Sequence, residues 1–71
     1  MANQTYTAVV HQEDDLYVAI CPEVGTASQG NTFDDAVKNL KEATELYLEE
    51  FPAEGIHQAH LTTFEVEHAT A

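Results

Sequence analysis

The chain has 71 residues, 13 acidic and 2 basic, for a formal net charge of −11 with histidines neutral. That length holds one small domain, expected to span 1–71, and leaves no room for a multidomain enzyme. A surface so acidic repels phosphate backbones and anionic lipid headgroups, so neither direct nucleic-acid binding nor membrane association is expected.

Residues 5–11 read as a strand, with Tyr6, Ala8 and Val10 on one face and Thr7, Val9 and His11 on the other. Residues 12–15 supply a polar turn. Leu16–Cys21 is a second strand, alternating Leu16, Val18 and Ile20 with Tyr17, Ala19 and Cys21, and stopped by Pro22. It is also the longest uninterrupted apolar run, six residues, too short for a membrane-spanning helix. A bend over 22–25 leads to a short polar strand over residues 26–29 that ends at Gly30.

Thr32 stands three positions before Asp35 and ahead of an apolar-periodic stretch, which marks a helix start. From there Phe33, Ala36, Val37, Leu40, Ala43, Thr44, Tyr47, Leu48 and Phe51 recur at spacings of three and four, predicting one amphipathic helix over 33–51 that Pro52 and Gly55 end. Asp34–Lys38 and Lys41–Glu45 have the spacing of stabilising ion pairs. Residues 60–66 read as a last strand, with Phe64 and Val66 opposite Leu61 and Thr63. The expected fold is α+β, one small domain of order β-β-β-α-β, an antiparallel-rich sheet with one long helix packed on one face.

One helix covers one sheet face, yet both faces of the first hairpin carry apolar residues. The uncovered face predicts self-association as a dimer or tetramer. No chemistry stands out. The only cysteine, Cys21, forms no intrachain disulfide and has no adjacent base, and with an N-terminus unlike a signal peptide it fits a reducing, cytoplasmic setting. His57, His60 and His68 lack the partners of a four-ligand metal site, and Gly25, Gly30 and Gly55 match no phosphate-binding loop. The chain reads as non-catalytic, without cofactor or metal. A cation-dependent nuclease built on Asp14 and Asp15 is the outlying enzymatic reading.

The run Leu16-Tyr17-Val18-Ala19-Ile20-Cys21-Pro22-Glu23, followed by Gln29-Gly30-Asn31-Thr32 and then Asp35-Ala36 and Asn39-Leu40-Lys41-Glu42-Ala43, resembles the HicB-like antitoxin family over residues 6–51. The resemblance implies a partial ribonuclease-H-like sheet without nuclease activity. It also implies a partner, a small basic HicA-type toxin that cleaves messenger RNA and whose active site the antitoxin occludes. Two departures stand out. Val24 leads directly into Gly25, without the second proline many relatives have, and no separate DNA-binding domain follows the expected last strand. On charge and exposure, partner contact is expected at Glu13, Asp14, Asp15 and Glu23, with Tyr17 as an aromatic anchor. The alternative reading is an orphan oligomeric interaction or regulatory module with no toxin partner.

Overall fold

The computed structural model describes residues 4–52 and 58–68. Strands β1 (Val9–Glu13), β2 (Leu16–Cys21) and β3 (Thr26–Gly30) form one antiparallel sheet in that order, and α1 (Phe33–Glu50) follows. This is the expected α+β arrangement of three antiparallel strands and one long helix. No helix among the described residues is long and apolar enough to cross a membrane.

The alternation along β2 decides which face is covered. Ala19 and Cys21 are buried and Tyr17 half-buried on the side that meets Ala36 and Leu40 of α1, with Tyr6, Val10 and Val24 packed around them. The other row stays open: Val9, Leu16 and Ile20 remain 37–40% exposed. The core is therefore small, with Ala19, Cys21, Ala36 and Leu40 as its buried apolar residues among those described.

The helix begins where its cap dictates. Thr32 has extended backbone, its hydroxyl accepts the Asp35 N–H at 3.0 Å, and Asp34 and Asp35 place negative charge in the first turn. Ala36, Leu40 and Thr44 bury the central stripe, while Phe33, Tyr47 and Phe51 are exposed. At Tyr47 and Phe51 the cause is length. Eighteen helical residues rise roughly 27 Å, whereas a strand of five or six residues covers about 17–20 Å. The helix outruns the sheet, and at its far end Tyr47 and Phe51 pack on each other with ring centroids 5.0 Å apart. The helix stops before Pro52, one residue earlier than expected, with Phe51 as its cap. Gly55 lies outside the described residues. Neither expected helical ion pair closes; the nearest such contact among the described residues is the hydrogen bond between His11 Nε2 and Glu13 Oε2.

Two expectations about strands need correction. The first strand runs over Val9–Glu13 rather than 5–11. Val9 lies opposite Ile20 and Ala8 is level with Cys21, the last residue of β2, so Thr7 and the residues before it have passed the end of β2, while the turn shrinks to Asp14 and Asp15 because Asp14 takes a left-handed conformation (φ 54°). The expected last strand over 60–66 joins no sheet: residues 58–68 form neither ladder nor helix, and Leu61, Phe64 and Val66 are 63–85% exposed.

Two glycines meet different demands. Gly25 closes the bend after β2 with φ 92°, and its N–H donates to the Cys21 carbonyl at 2.7 Å. Gly30 is a close approach: a Cβ there would stand 2.6 Å from the Ala36 nitrogen and 2.8 Å from Asp35 atoms. Its lack of a side chain lets β3 meet the first turn of α1.

Candidate partner-binding surface

The β1–β2 hairpin ends in three consecutive acids, Glu13, Asp14 and Asp15, all exposed. The tight turn holds them at the tip, and Gln12 Nε2 donates to the Asp14 carbonyl at 3.3 Å. Glu13 Oε2 lies 2.7 Å from His11 Nε2. Both side chains belong to the open face, since His11 sits opposite Val18 and Glu13 opposite Leu16. Asp14 and Asp15 have no cationic partner among the described residues, so the tip presents uncompensated carboxylates.

Tyr17 and Glu23 stand elsewhere. Tyr17 is half-buried on the helix side, where it packs against the core, so most of its ring is committed to the fold. Glu23 lies past the far end of β2, about 16 Å or more from the tip at ~3.3 Å per residue. Its carboxylate accepts the Thr7 N–H at 2.9 Å and the Thr7 hydroxyl at 2.5 Å, and the Cys21 thiol at 3.4 Å. The structure thus brings Glu13, Asp14 and Asp15 together and holds Glu23 apart in an internal role.

The electrostatics follow these contacts. The Thr7 hydroxyl, then the Thr7 N–H, stabilise ionised Glu23 and hold its pKa down to about 2. Burial pushes the Cys21 thiol up, and the neighbouring Glu23 carboxylate adds to that rise against the opposing Val24 N–H. A 1%-exposed thiol held in its neutral form is a packing group rather than a nucleophile. Among the described residues no three His, Cys, Asp or Glu side chains converge as a metal site would require, and His57 lies outside them.

Sequence reasoning missed a cleft of about 470 Å³ between α1 and the residues leading into β1. Tyr6, Ala8, Val37, Leu40 and Leu48 line it, with Lys41 and Glu45 at the helix. Its signal was the helical stripe itself: Val37, Leu40, Thr44 and Leu48 follow the period, yet the sheet ends before it covers them all.

The motif residues prove to have structural tasks. Asn39 Nδ2 donates to the Gln29 carbonyl at 2.8 Å and ties α1 to β3, Gly30 admits the helix, Thr32 caps it and Leu40 enters the core. The signature therefore specifies this strand-to-helix junction.

No family model matches the chain, and no solved structure matches it. Two bacterial proteins do. A UPF0150 protein of Synechocystis is 47% identical over 51 residues, which cover 69% of this chain and 65% of the relative. A UPF0150 protein of Helicobacter pylori is 40% identical over 48 residues, 66% of this chain and 67% of the relative. The matched region spans about two thirds of the length of these curated relatives.

Proposed function

The chain belongs to the UPF0150 family, and we propose that it acts as a HicB-like antitoxin: a non-catalytic cytoplasmic protein that binds a small basic HicA-type ribonuclease and covers its active site. The observation that carries this reading is the hairpin tip. Three exposed carboxylates at the hairpin tip, Asp14 and Asp15 on the turn and Glu13 at the end of β1, project from a body of net charge −11, complement a cationic RNA-binding surface and compete with phosphate for it. Occlusion needs no catalytic group in the inhibitor, only shape, charge and slow release.

The roles of the candidate residues differ accordingly. Glu13, Asp14 and Asp15 make the contact, while Tyr17, half-buried on the helix side, offers only the exposed part of its ring. Glu23 contributes by holding the lead-in of β1 in place.

Co-expression with the product of the adjacent reading frame tests this proposal. A basic, histidine-containing product co-purifies at low salt, and the joint change Glu13→Gln, Asp14→Asn and Asp15→Asn weakens capture without unfolding the chain. Failure of a cationic neighbour to co-purify at low salt contradicts the proposal and favours the orphan interaction module, a reading supported by the apolar surface left open on the sheet.

A further inference from the structure

We propose that the partner's seat extends from the hairpin tip over the open face of the sheet, and that its occupant is a cationic protein carrying an apolar patch beside its basic one. This deepens the antitoxin reading and rests on it.

Charge at the tip cannot supply the whole contact. Exposed carboxylates speed encounter with a cationic partner, whereas slow release comes from apolar side chains buried near the middle of an interface. Stable complexes bury roughly 800 Å² on each partner, more than three side chains present. The remainder has to come from surface adjoining the tip, and the sheet has two faces there. On one, Ala19 and Cys21 are buried beneath Ala36 and Leu40, and Tyr17 is half-buried against the same core. The other is open.

The strand register lays out that open face in three rows. Next to the tip, Glu13 stands opposite Leu16. Behind them His11 lies opposite Val18, and Val18 opposite Gln29. Furthest from the tip, Val9 lies opposite Ile20, and Ile20 opposite Ala27. The first and last rows are about 13 Å apart at ~3.3 Å per residue, and three strands span about 10 Å across. Polarity falls along that distance, from a carboxylate through an imidazole and an amide to aliphatic groups alone. Leu16, Ile20 and Val9 are 37%, 39% and 40% exposed. An interface with a charged rim and an apolar middle has this order.

Charge also selects the occupant. The three strands contain one acid, Glu13, and no lysine or arginine, in a chain with 13 acids. Both lysines, Lys38 and Lys41, are on α1. Covering this face therefore desolvates one carboxylate at its margin and leaves the acids of the helix in water. A second copy seated here would bring another charge of −11 against the first, while a basic protein brings the opposite sign. Its cations meet Glu13, Asp14 and Asp15 as its apolar groups reach Leu16, Val18 and Ile20.

The test measures binding of the full chain to the purified basic product of the adjacent reading frame. Leu16→Thr with Ile20→Thr keeps strand-compatible side chains and removes apolar surface from the face. This face variant is expected to raise the dissociation constant at least about 10-fold through faster release, with the association rate changed less than about 2-fold. Neutralising Glu13, Asp14 and Asp15 is expected to slow association instead. Leu46→Thr, at an α1 position 64% exposed, is the control and is expected to bind as the wild type does. In the wild-type complex, magnetisation transferred from the partner is expected to reach the methyl groups of Leu16, Val18 and Ile20 and to miss those of Leu46. A folded face variant that binds like wild type overturns this proposal, and the antitoxin reading stands if the tip variant still binds more weakly. A wild-type chain that captures no cationic product overturns both. An equal loss from Leu46→Thr overturns the proposal, and so does a face variant whose one defect is a changed mass of the chain alone, since a second copy then covers the face. If the face variant fails to fold, the methyl transfer decides: signal that misses Leu16, Val18 and Ile20 overturns the proposal.

Discussion

Glu23 and Thr7, sixteen residues apart, are joined by two hydrogen bonds to one carboxylate, 2.9 Å from the backbone N–H and 2.5 Å from the hydroxyl. β2 has ended at Cys21, so this side chain does for Thr7 what the next residue of a strand would have done. The contact holds the lead-in of β1, and with it Tyr6, against the core.

Its pH dependence has a definite sign. Glu23 has its pKa lowered from 4.5 to about 2 in the folded chain, so the folded state binds fewer protons than the unfolded state between those values. The stabilisation is present above about pH 4.5 and is lost as pH falls toward 2. Urea midpoints measured across this window are expected to fall more steeply for the wild type than for Glu23→Gln. Parallel curves would show that the bonds do not form in solution.

The two glycines separate steric from conformational cost. Gly30→Ala drives a Cβ to 2.6 Å from backbone at the helix start and is expected to cost about 2–3 kcal/mol. Gly25→Ala has nothing within 4 Å and pays only for its positive φ, about 1–2 kcal/mol. Chemical denaturation of both variants checks the order. An equal or reversed order contradicts the close approach of β3 to α1.

Thr26 and Thr44 share a hydrogen bond of 2.7 Å between β3 and the buried face of α1. Thr44→Val leaves the Thr26 hydroxyl without this partner, at an expected cost of about 1–2 kcal/mol. The double change Thr26→Val with Thr44→Val removes both polar groups and is expected to recover most of that loss. A double-mutant cycle with no coupling would deny the contact.

Cys21 is buried with its thiol pKa raised, chiefly by desolvation. Thiol reagents at neutral pH are therefore expected to label it only as fast as the protein opens, and at the rate of a free thiol once urea unfolds the chain. Rapid labelling of the folded protein would mean that the sheet–helix core is open.

The locally determined parts of the fold were legible in the sequence. The β2 alternation, the stop at Pro22, the Thr32 cap and the stripe through Ala36, Leu40 and Thr44 all rest on neighbours within a few residues. What failed depends on distant partners. Where β1 starts is decided by where β2 stops, and the tight turn depends on Asp14 accepting a positive φ. Residues 60–66 have the composition of a strand, but pairing requires an edge, which alternation cannot supply. The acids of the candidate surface were equally visible as charges, yet their grouping was not. Charge alone does not distinguish Glu13, at the tip, from Glu23, already bound to Thr7.

The most direct measurement is a titration of this chain into the purified product of its neighbouring reading frame, with messenger RNA cleavage followed at low salt. The account predicts that cleavage stops near one equivalent, and that the variant with Glu13, Asp14 and Asp15 neutralised needs about tenfold more or greater excess, a difference that narrows as salt is raised. Undiminished cleavage by an active, cationic nuclease in the presence of excess folded chain would contradict it.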